Sequence, residues 1–380
     1  MKKDSSLGLI VLNNMKDFGN KVFAHLKEEH GISENCLIPH QEVRFSNGEG
    51  KVVINSTVRD KNIYILSDIT NYNCSYQAYG RTNYLSPDDH FQDIKRVVSA
   101  IRGNSKKITV IMPFLYGSRQ HARNGRESLD CAVALQELQH LGISTIATFD
   151  AHDPEVQNAI PLLSFDNFFP TNTILTEFVE KEKINYDKLL IISPDEGALK
   201  RCRYYSGMLE ADIGLFYKRR DYSKLVNGKN PIAEHKYLGR EEEGLDYIIV
   251  DDMISSGGSM IDIFEQLKER KANKVYAVAA FSLLTDGPKP FDDAYEKGLF
   301  TKIYTTELAY IPNEIKEKPW LEVVDTASLV SDIIDSYHYE KSISPLLNGK
   351  EEMFKTILKA KKEQLEEAKE KQGKTKVRKP

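Results

Sequence analysis

Short apolar runs alternate with amphipathic stretches along most of the chain. The run at residues 7–12 is typical of a buried strand, and Met15, Phe18, Val22 and Leu26 follow it at the spacing of one helix face. The order of strand and then helix recurs, with further strands predicted at 51–55, 62–67, 107–114, 144–149, 188–192, 211–217, 247–250, 274–281 and 302–306. Such an alternation favours an α/β fold whose sheets are mainly parallel.

Residues at the ends of the amphipathic stretches support the predicted helices. Ser86 and Pro87 precede a helix predicted at 88–102, acidic residues occupy its first turn, and Gly103 follows it. The segment 71–89, which leads into this helix, is polar and rich in tyrosine and shows no clear period. We therefore interpret it as a long loop.

The length of the chain is sufficient for two domains. Its 380 residues can form two cores of ordinary size, and we predict an N-terminal domain at 1–170 and a C-terminal domain at 171–349. Residues 350–380 are rich in charge, with Met353 and Ile357 at loosely helical spacing. This last stretch is predicted to form an exposed helix that continues into a disordered tail.

The overall charge and composition exclude some classes of function. With 52 basic and 56 acidic residues, the formal net charge of −4 gives no indication of nucleic-acid binding. No apolar run is long enough to span a bilayer, so we expect no membrane partner. The four cysteines are scattered, without the paired spacing of a metal site, which makes a reducing cytoplasm the expected location.

The stretch 247–260 carries the strongest chemical signal. Its apolar, β-branched run stops at two adjacent carboxylates, Asp251 and Asp252, and apolar residues at helical spacing resume after Gly257 and Gly258. The order of strand, loop and helix places the loop at the carboxyl end of a strand. Open α/β sheets bind their ligands at that end.

The residue types of this loop suit a sugar phosphate. Its two glycines permit positive φ and a close ligand, and its hydroxyls accompany the amides of a starting helix, which together favour a phosphate monoester. The paired carboxylates would repel that phosphate, so we expect them to bind vicinal sugar hydroxyls or hydrated Mg²⁺. Ribose 5-phosphate combines both features. No lysine follows the glycines, which excludes a Walker A loop, and a solvated Asp-Asp turn is the alternative interpretation.

Four more groups of chemically active residues follow predicted strands: Arg119, Gln120 and His121; Asp150 and His152; Asp195; and Lys218 and Arg220. Their joint placement at strand ends indicates a single crevice, and cations together with metal-binding carboxylates are typical of phosphoryl transfer. Each also has a plain structural interpretation. His152 could end a strand, Asp195 could cap a helix, and Lys218 to Arg220 could form a solvated basic turn.

With these motifs in order, the chain resembles the ribose-phosphate diphosphokinases, also called phosphoribosyl pyrophosphate synthetases. The resemblance covers about residues 7–347 and rests on six ordered motifs, at 45–49, 118–120, 149–152, 193–195, 218–220 and 250–259. It implies two phosphoribosyltransferase-like α/β domains, each with a mainly parallel sheet flanked by helices. It also implies transfer of the β,γ-diphosphoryl group of MgATP to the 1-hydroxyl of ribose 5-phosphate, which yields phosphoribosyl pyrophosphate and AMP.

The resemblance further implies the ligands, the cofactor and the assembly. ATP would be bound by Phe45, Asn47 and Glu49 of a neighbouring subunit and by Arg119 and Gln120. Ribose 5-phosphate would be bound by Asp251, Asp252, Ser255, Ser256, Gly257, Gly258 and Ser259. The Mg²⁺ cofactor would be held by His152 and Asp195, and the transferring group would be stabilised by Lys218 and Arg220. Members of this family are usually built from dimers into hexamers, so a homo-oligomer is expected.

The chain departs from the usual family pattern within three motifs. Ser255 replaces the first aspartate of an Asp-Thr-Gly-Gly-Thr loop, Asn47 replaces an aspartate, and His121 stands where an acidic residue is common. Two other functions stay open at this point. One is a catalytically weak regulatory paralogue, which would have no use for the cations at Lys218 and Arg220. The other is a phosphoribosyltransferase that consumes phosphoribosyl pyrophosphate and produces no AMP from ATP.

Overall fold

The computed structural model describes residues 6–123, 125–220, 232–351 and 353–363. The chain divides into two compact units. The first consists of Met1–Pro170, Glu307–Ile311 and Asp325–Asn348. The second consists of Thr171–Thr306, Pro312–Val324 and Gly349–Pro380.

The strands, in chain order, are β1 (Leu7–Val11), β2 (His40–Arg44), β3 (Gly50–Ile54), β4 (Asn62–Leu66), β5 (Ser75–Ala78), β6 (Arg81–Tyr84), β7 (Lys107–Ile111), β8 (Thr145–Phe149), β9 (Ser164–Phe168), β10 (Leu189–Ser193), β11 (Asp212–Arg220), β12 (Ile232–Leu238), β13 (Asp246–Ile254), β14 (Lys274–Ser282), β15 (Lys302–Thr306) and β16 (Leu321–Val324). The helices are α1 (Lys16–Glu28), α2 (Pro87–Ile101), α3 (Asp130–His140), α4 (Thr171–Lys181), α5 (Leu199–Leu209), α6 (Gly258–Glu269), α7 (Lys289–Glu296), α8 (Asn313–Lys316), α9 (Ala327–His338) and α10 (Ser344–Asn348).

A parallel sheet forms the centre of the first unit. Its strand order is β1-β4-β7-β8-β9, and β1 is buried along its whole length, as its run of Leu, Ile and Val predicts. Helix α2 begins with a capping box, in which the Ser86 hydroxyl accepts the Asp89 N–H and the Asp89 carboxylate accepts the Ser86 N–H. The predicted α/β class and the mainly parallel pairing are confirmed in this unit.

Two antiparallel hairpins extend the first unit beyond its parallel sheet. Strands β2 and β3 pair with each other, and so do β5 and β6. The prediction of a long loop at 71–89 is therefore wrong, because β5 and β6 occupy much of it. Tyr79 and Gly80, which connect these strands, have positive φ values of 54° and 73°. Such backbone is typical of a tight hairpin turn, although tyrosine is an unusual residue for it.

The second unit contains a sheet of order β12-β11-β10-β13-β14-β15-β16. Its strands are parallel except for β12, which pairs antiparallel with β11 and places Lys218 opposite His235. Lys218 and Arg220 therefore lie in a strand, and their interpretation as a solvated basic turn is wrong, since this pairing extends β11 to Arg220. The side chains of these two residues lie outside the described part of the structure, as do residues 221–231.

The last part of the chain packs more tightly than its composition indicates. Residues 353–363 are helical, and Met353 and Ile357 are each 2% exposed in a core that also contains Phe178 and Tyr205. The expectation of an exposed helix is therefore wrong here, because one face carries apolar residues at the helical period. The predicted tail beyond residue 363 lies outside the described residues.

The two compact units divide the chain differently from the predicted domains at 1–170 and 171–349. Segments 307–311 and 325–348 group with the first unit, although we placed them in 171–349. Helix α9 belongs there, and Asp332 Oδ1 lies 3.1 Å from Nε2 of His30, which follows α1. Such a return of the chain is a long-range contact that local patterns do not reveal. In the described ranges, no helix has both the length and the apolar character needed to cross a membrane.

Candidate functional site

The predicted strand, loop and helix at 247–260 are present in the second unit. Strand β13 continues to Ile254, so Asp251 and Asp252 lie within the strand rather than beyond its end. Asp252 is 3% exposed and Asp251 is half-buried. The connection to α6 is only three residues long, at 255–257. The two carboxylates are thus recessed into the carboxyl end of a central strand.

Gly257 is required by the backbone and by its neighbour. Its φ is +89°, and a Cβ atom added there would lie 2.3 Å from Cζ of Phe291. Of the two glycines that permit positive φ, Gly258 does not use it, because it is already the first residue of α6, and a Cβ there would have no heavy atom within 4 Å. The sharp turn at Gly257 therefore determines where α6 begins.

The aspartate pair interacts with local donors and with other charges. The Asp252 N–H donates to Asp251 Oδ1 over 2.9 Å, and the Met253 N–H donates to Asp252 Oδ1 over 2.8 Å. Burial, followed by the negative charge of Asp252, raises the pKa of Asp251 well above its usual range, and Asp195 adds to the effect. On α5, the Arg201 guanidinium Nη2 lies 3.7 Å from Asp252 Oδ2.

Asp195 follows β10. The sequence allows two interpretations of this residue, a helix cap and a Mg²⁺ ligand. Its Oδ1 accepts the N–H groups of Gly197 and Ala198 at 2.9 and 3.2 Å, so it does cap the turn before α5. Its charge also acts on Asp251, so the structure brings these two predicted residues close together. A cap and a cation ligand are compatible, because a carboxylate has several lone pairs.

The serines of the loop stand at the start of α6. Ser256 and Ser259 are exposed, as is Gly258, whereas Ser255 is half-buried and its carbonyl accepts the Thr285 N–H at 3.0 Å. A helix start with hydroxyls and exposed backbone suits an anion.

In the first unit, the ends of β7 and β8 bring two predicted motifs together. The rings of His121 and His152 have centroids 5.4 Å apart, and His121 Nε2 lies 3.5 Å from Asp153 Oδ2. His152 is exposed. Just before it, Asp150 is 6% exposed and has a φ of 39°, which is unusual for a residue other than glycine. Strained backbone of this kind often occurs at functional sites.

Arg119 and Gln120 lie in a short 3-10 turn that follows β7. Gly117 precedes the turn with a φ of 68°, and a Cβ there would lie 2.9 Å from the Cys131 nitrogen. The Gln120 amide donates to the carbonyls of Ala122 and Ser128 at 3.1 and 2.9 Å, so it holds the loop before α3. The Arg119 side chain is exposed to solvent.

The turn at 45–49 connects β2 to β3 and is closed by its own residues. The Phe45 N–H donates to the Glu49 carbonyl at 2.8 Å, and Gly48 has a φ of 90°. The Asn47 amide donates to Glu49 Oε2 at 2.9 Å, while Asn47 Oδ1 accepts the Glu49 N–H at 3.1 Å. Phe45 is 44% exposed beside this turn.

Comparison with known proteins agrees with both units. Residues 7–142 match the family defined as the N-terminal domain of ribose phosphate pyrophosphokinase, and residues 171–317 match the phosphoribosyl transferase domain. A ribose-phosphate pyrophosphokinase from Mycoplasma pneumoniae is 26% identical over 339 residues, which cover 88% of this chain and 93% of that protein. Ribose-phosphate pyrophosphokinase 1 from Streptococcus pneumoniae is 26% identical over 349 residues, covering 90% and 98%.

The chain belongs to the ribose-phosphate pyrophosphokinase family. The predicted family is thereby confirmed, and so is the prediction that the protein is an enzyme. The crystal structure of phosphoribosylpyrophosphate synthetase from Mycobacterium smegmatis superposes with a TM-score of 0.71 at 20% identity, over 88% of this chain and 99% of that one. This likeness confirms the predicted fold of two phosphoribosyltransferase-like domains.

Asn47, one of the departures from the pattern of the pyrophosphokinase family, has a structural explanation. Its amide group donates a hydrogen bond to the Glu49 carboxylate. An ionised aspartate has only acceptors and would repel that carboxylate, so the asparagine closes this turn in a way that the usual residue does not.

Arg201 is a residue that sequence reasoning missed. Its guanidinium lies within 4 Å of the Asp252 carboxylate, and its own side chain is only 16% exposed. The apolar residues Cys202, Tyr205 and Leu209 mark the buried face of α5, and Arg201 lies beside that face. A charged residue next to a buried stripe was the available signal, because such a residue needs a partner.

Proposed function

We propose that this protein transfers the β,γ-diphosphoryl group of MgATP to the 1-hydroxyl of ribose 5-phosphate, giving phosphoribosyl pyrophosphate and AMP. The observation that supports this most is that one chain matches both the N-terminal domain of ribose phosphate pyrophosphokinase and the phosphoribosyl transferase domain. A phosphoribosyltransferase that consumes phosphoribosyl pyrophosphate would account only for the second match.

Ribose 5-phosphate is assigned to the second unit. Asp251 and Asp252 accept the sugar hydroxyls, since recessed carboxylates offer strong acceptors where water is scarce. The 5-phosphate is bound at the start of α6 by Ser255, Ser256, Gly257, Gly258 and Ser259. Arg201 positions Asp252 by charge and limits the repulsion between the two carboxylates.

ATP is assigned to residues of the first unit. Arg119 is exposed and offers a bidentate cation to phosphate oxygens. Gln120 shapes the loop that carries it. Phe45, Asn47 and Glu49 form a turn whose exposed ring and polar groups suit an adenine, presented to the ATP of a neighbouring subunit.

The Mg²⁺ cofactor fits the residues at two places. His152 is exposed beside His121 and Asp153. Asp195 belongs to a group of carboxylates in which burial raises the pKa of Asp251 most, and the negative charges of Asp252 and Asp195 raise it further. A divalent cation relieves such repulsion, so His152 and Asp195 are proposed as Mg²⁺ ligands. When bound, the ion neutralises charge on the phosphates of ATP.

Lys218 and Arg220 are assigned to the transferring group. Both have their backbone in β11, one strand beyond β10, which leads to Asp195. Cations in this role stabilise charge that develops on the phosphoryl oxygens, an effect that acts on turnover rather than on binding. The oxygen of the sugar 1-hydroxyl attacks the β-phosphorus and gives up its proton to water, the bond from that phosphorus to the α-phosphate oxygen breaks, and AMP leaves.

The test is AMP formation by the purified full-length protein. MgATP is incubated with ribose 5-phosphate, with and without inorganic phosphate, and AMP is measured by chromatography, with omission of the sugar as the control. AMP that depends on the sugar supports the proposal. Absence of AMP under both conditions would overturn it and favour the regulatory paralogue.

A cytoplasmic, dimer-based homo-oligomer of up to six subunits is proposed for the assembly. Each of the four cysteines carries a thiol rather than a disulfide, which agrees with a reducing compartment. Light scattering of the purified protein tests the assembly, and a monomer at micromolar concentration would contradict it.

A further inference from the structure

The hairpin formed by β5 and β6, here called the tyrosine hairpin (Ser75–Tyr84), has no place in the function proposed so far. It occupies the segment that the sequence indicated as a loop, and its strands pair with each other alone among the described strands. Tyr79 at its tip is 75% exposed. An exposed aromatic residue with positive φ is costly to maintain, so it invites a functional explanation.

The tip of the tyrosine hairpin contacts the turn at 45–49. The Tyr79 hydroxyl donates to the Asn47 carbonyl at 3.3 Å. Tyr76 also lies against this turn, because a Cβ added to Gly48 would be 3.2 Å from the Tyr76 hydroxyl oxygen. The Arg44 guanidinium also lies over the Tyr76 ring, 5.9 Å from its centroid. Two tyrosines thus support the main chain of the turn.

The remaining support of this turn is at its base. Arg44 Nη2 lies 2.5 Å from Asp93 Oδ2, and Arg96 Nη1 lies 2.7 Å from the other oxygen of Asp93, so α2 anchors the end of β2. Strands β2 and β3 pair only with each other in the described part of the fold. The far end of their hairpin is therefore held by its internal hydrogen bonds and by the two tyrosines.

We propose that Tyr76 and Tyr79 are positioning residues that hold the 45–49 turn in the conformation that binds ATP. This inference rests on the proposed function, which assigns the turn to the adenine. A turn that is already ordered loses less conformational entropy when the nucleotide binds, so the tyrosines set the affinity for ATP. They do not contact the reacting phosphates in this role, and turnover does not depend on them.

The experiment compares three full-length proteins: the natural chain, Tyr79→Phe and the matched control Tyr84→Phe. Tyr84 is at the opposite end of the same hairpin and is 66% exposed. For Tyr79→Phe we expect a KM for ATP and a Kd for MgATP raised about three- to tenfold, the effect of one lost hydrogen bond. Its kcat, its KM for ribose 5-phosphate and its Tm should be unchanged. A purely structural tyrosine would instead change Tm without this division between KM and kcat.

Titration of each protein with MgATP alone distinguishes failure of this inference from failure of the proposed function. If the natural chain makes AMP but all three proteins bind MgATP equally, the inference is overturned and the proposed function stands. If the natural chain binds MgATP without making AMP, while Tyr79→Phe binds more weakly than Tyr84→Phe, the proposed function fails and the positioning role stands. A natural chain that binds no MgATP would overturn both.

Discussion

Two turns that we propose to bind ligands obtain their shape by different means. The turn at 45–49 is exposed, and side chains add to its backbone hydrogen bonds, through the bond from Asn47 to Glu49 and the support of Tyr79. The loop at 255–257 is fixed by backbone and packing, because Gly257 has a φ of +89° against the Phe291 ring. It also follows two recessed carboxylates.

This difference predicts how strongly a substitution should affect each turn. Surface hydrogen bonds are individually weak, so changes at 45–49 should alter ATP affinity by small factors. A strained φ beside a packed ring tolerates little, so changes at 257 should affect the whole second unit. Substitutions in the turn at 45–49 should therefore act on ATP binding, whereas substitutions in the second unit should act on the chemistry assigned to it.

The largest effect is expected for Lys218→Ala, which tests whether the second unit governs turnover. Loss of one cation that acts on developing charge should lower kcat by about 10²–10³-fold, with the KM for ribose 5-phosphate little changed. Steady-state AMP formation is the measurement. The control is Lys236→Ala, an exposed lysine of β12 placed opposite Tyr217. Equal kcat values for the two variants would remove Lys218 from the mechanism.

The next largest effect is expected for Gly257→Ala, which tests whether packing fixes this loop. Positive φ costs alanine about 1–2 kcal/mol. The crowded Phe291 ring adds about 1–3 kcal/mol. The Tm should therefore fall clearly, whereas Gly258→Ala, where a Cβ meets open space, should leave it unchanged or slightly raised. Similar Tm values for the two variants would show that the loop adapts.

A pH-dependent effect is expected for Asp251→Asn. Burial raises the pKa of Asp251 in the folded protein above its value of about 3.9 in an unfolded chain, so ionisation costs the natural protein stability as pH rises above about 4. The amide variant lacks this cost. Its Tm relative to that of the natural protein should increase from pH 4 towards neutrality, measured with EDTA present. A Tm difference that does not depend on pH would contradict a raised pKa for the recessed Asp251 carboxyl.

The smallest effect is expected for Asn47→Asp, in the exposed turn. Repulsion between the new carboxylate and Glu49 should raise the KM for ATP about two- to fivefold at pH 8, and less at lower pH as one carboxylate becomes protonated. Asn47→Ala removes the hydrogen bond without adding charge, so its KM should not depend on pH in this way. Identical pH profiles for these two variants would show that the bond to Glu49 is unimportant.

Structural features that depend on a local pattern of residues can be predicted from the sequence. Strand β1 is an apolar run and α2 carries its cap at Ser86, so these elements are predicted near their observed bounds, whereas β13 continues past its predicted end at 250 to Ile254. The site motifs at 118–121 and 149–152 follow strands that are neighbours in the sheet, which the alternating pattern also indicates.

Other features depend on contacts that a local pattern lacks. The tyrosine hairpin was missed because its two four-residue strands show no apolar period, and its turn uses Tyr79 with positive φ. The packing of Met353 was missed because charged neighbours dominate its stretch. The role of Asn47 depends on the distance from its amide to Glu49, which composition cannot provide.

Both units are completed by segments from late in the chain, which matters while the protein is being made. Helix α9 belongs to the unit that begins with β1, and residues 353–363 cover a core whose other members, such as Phe178, are synthesised much earlier. A nascent chain on the ribosome therefore cannot finish either unit until these late segments emerge. Translation that stops before them would release a chain with apolar surface exposed in both units.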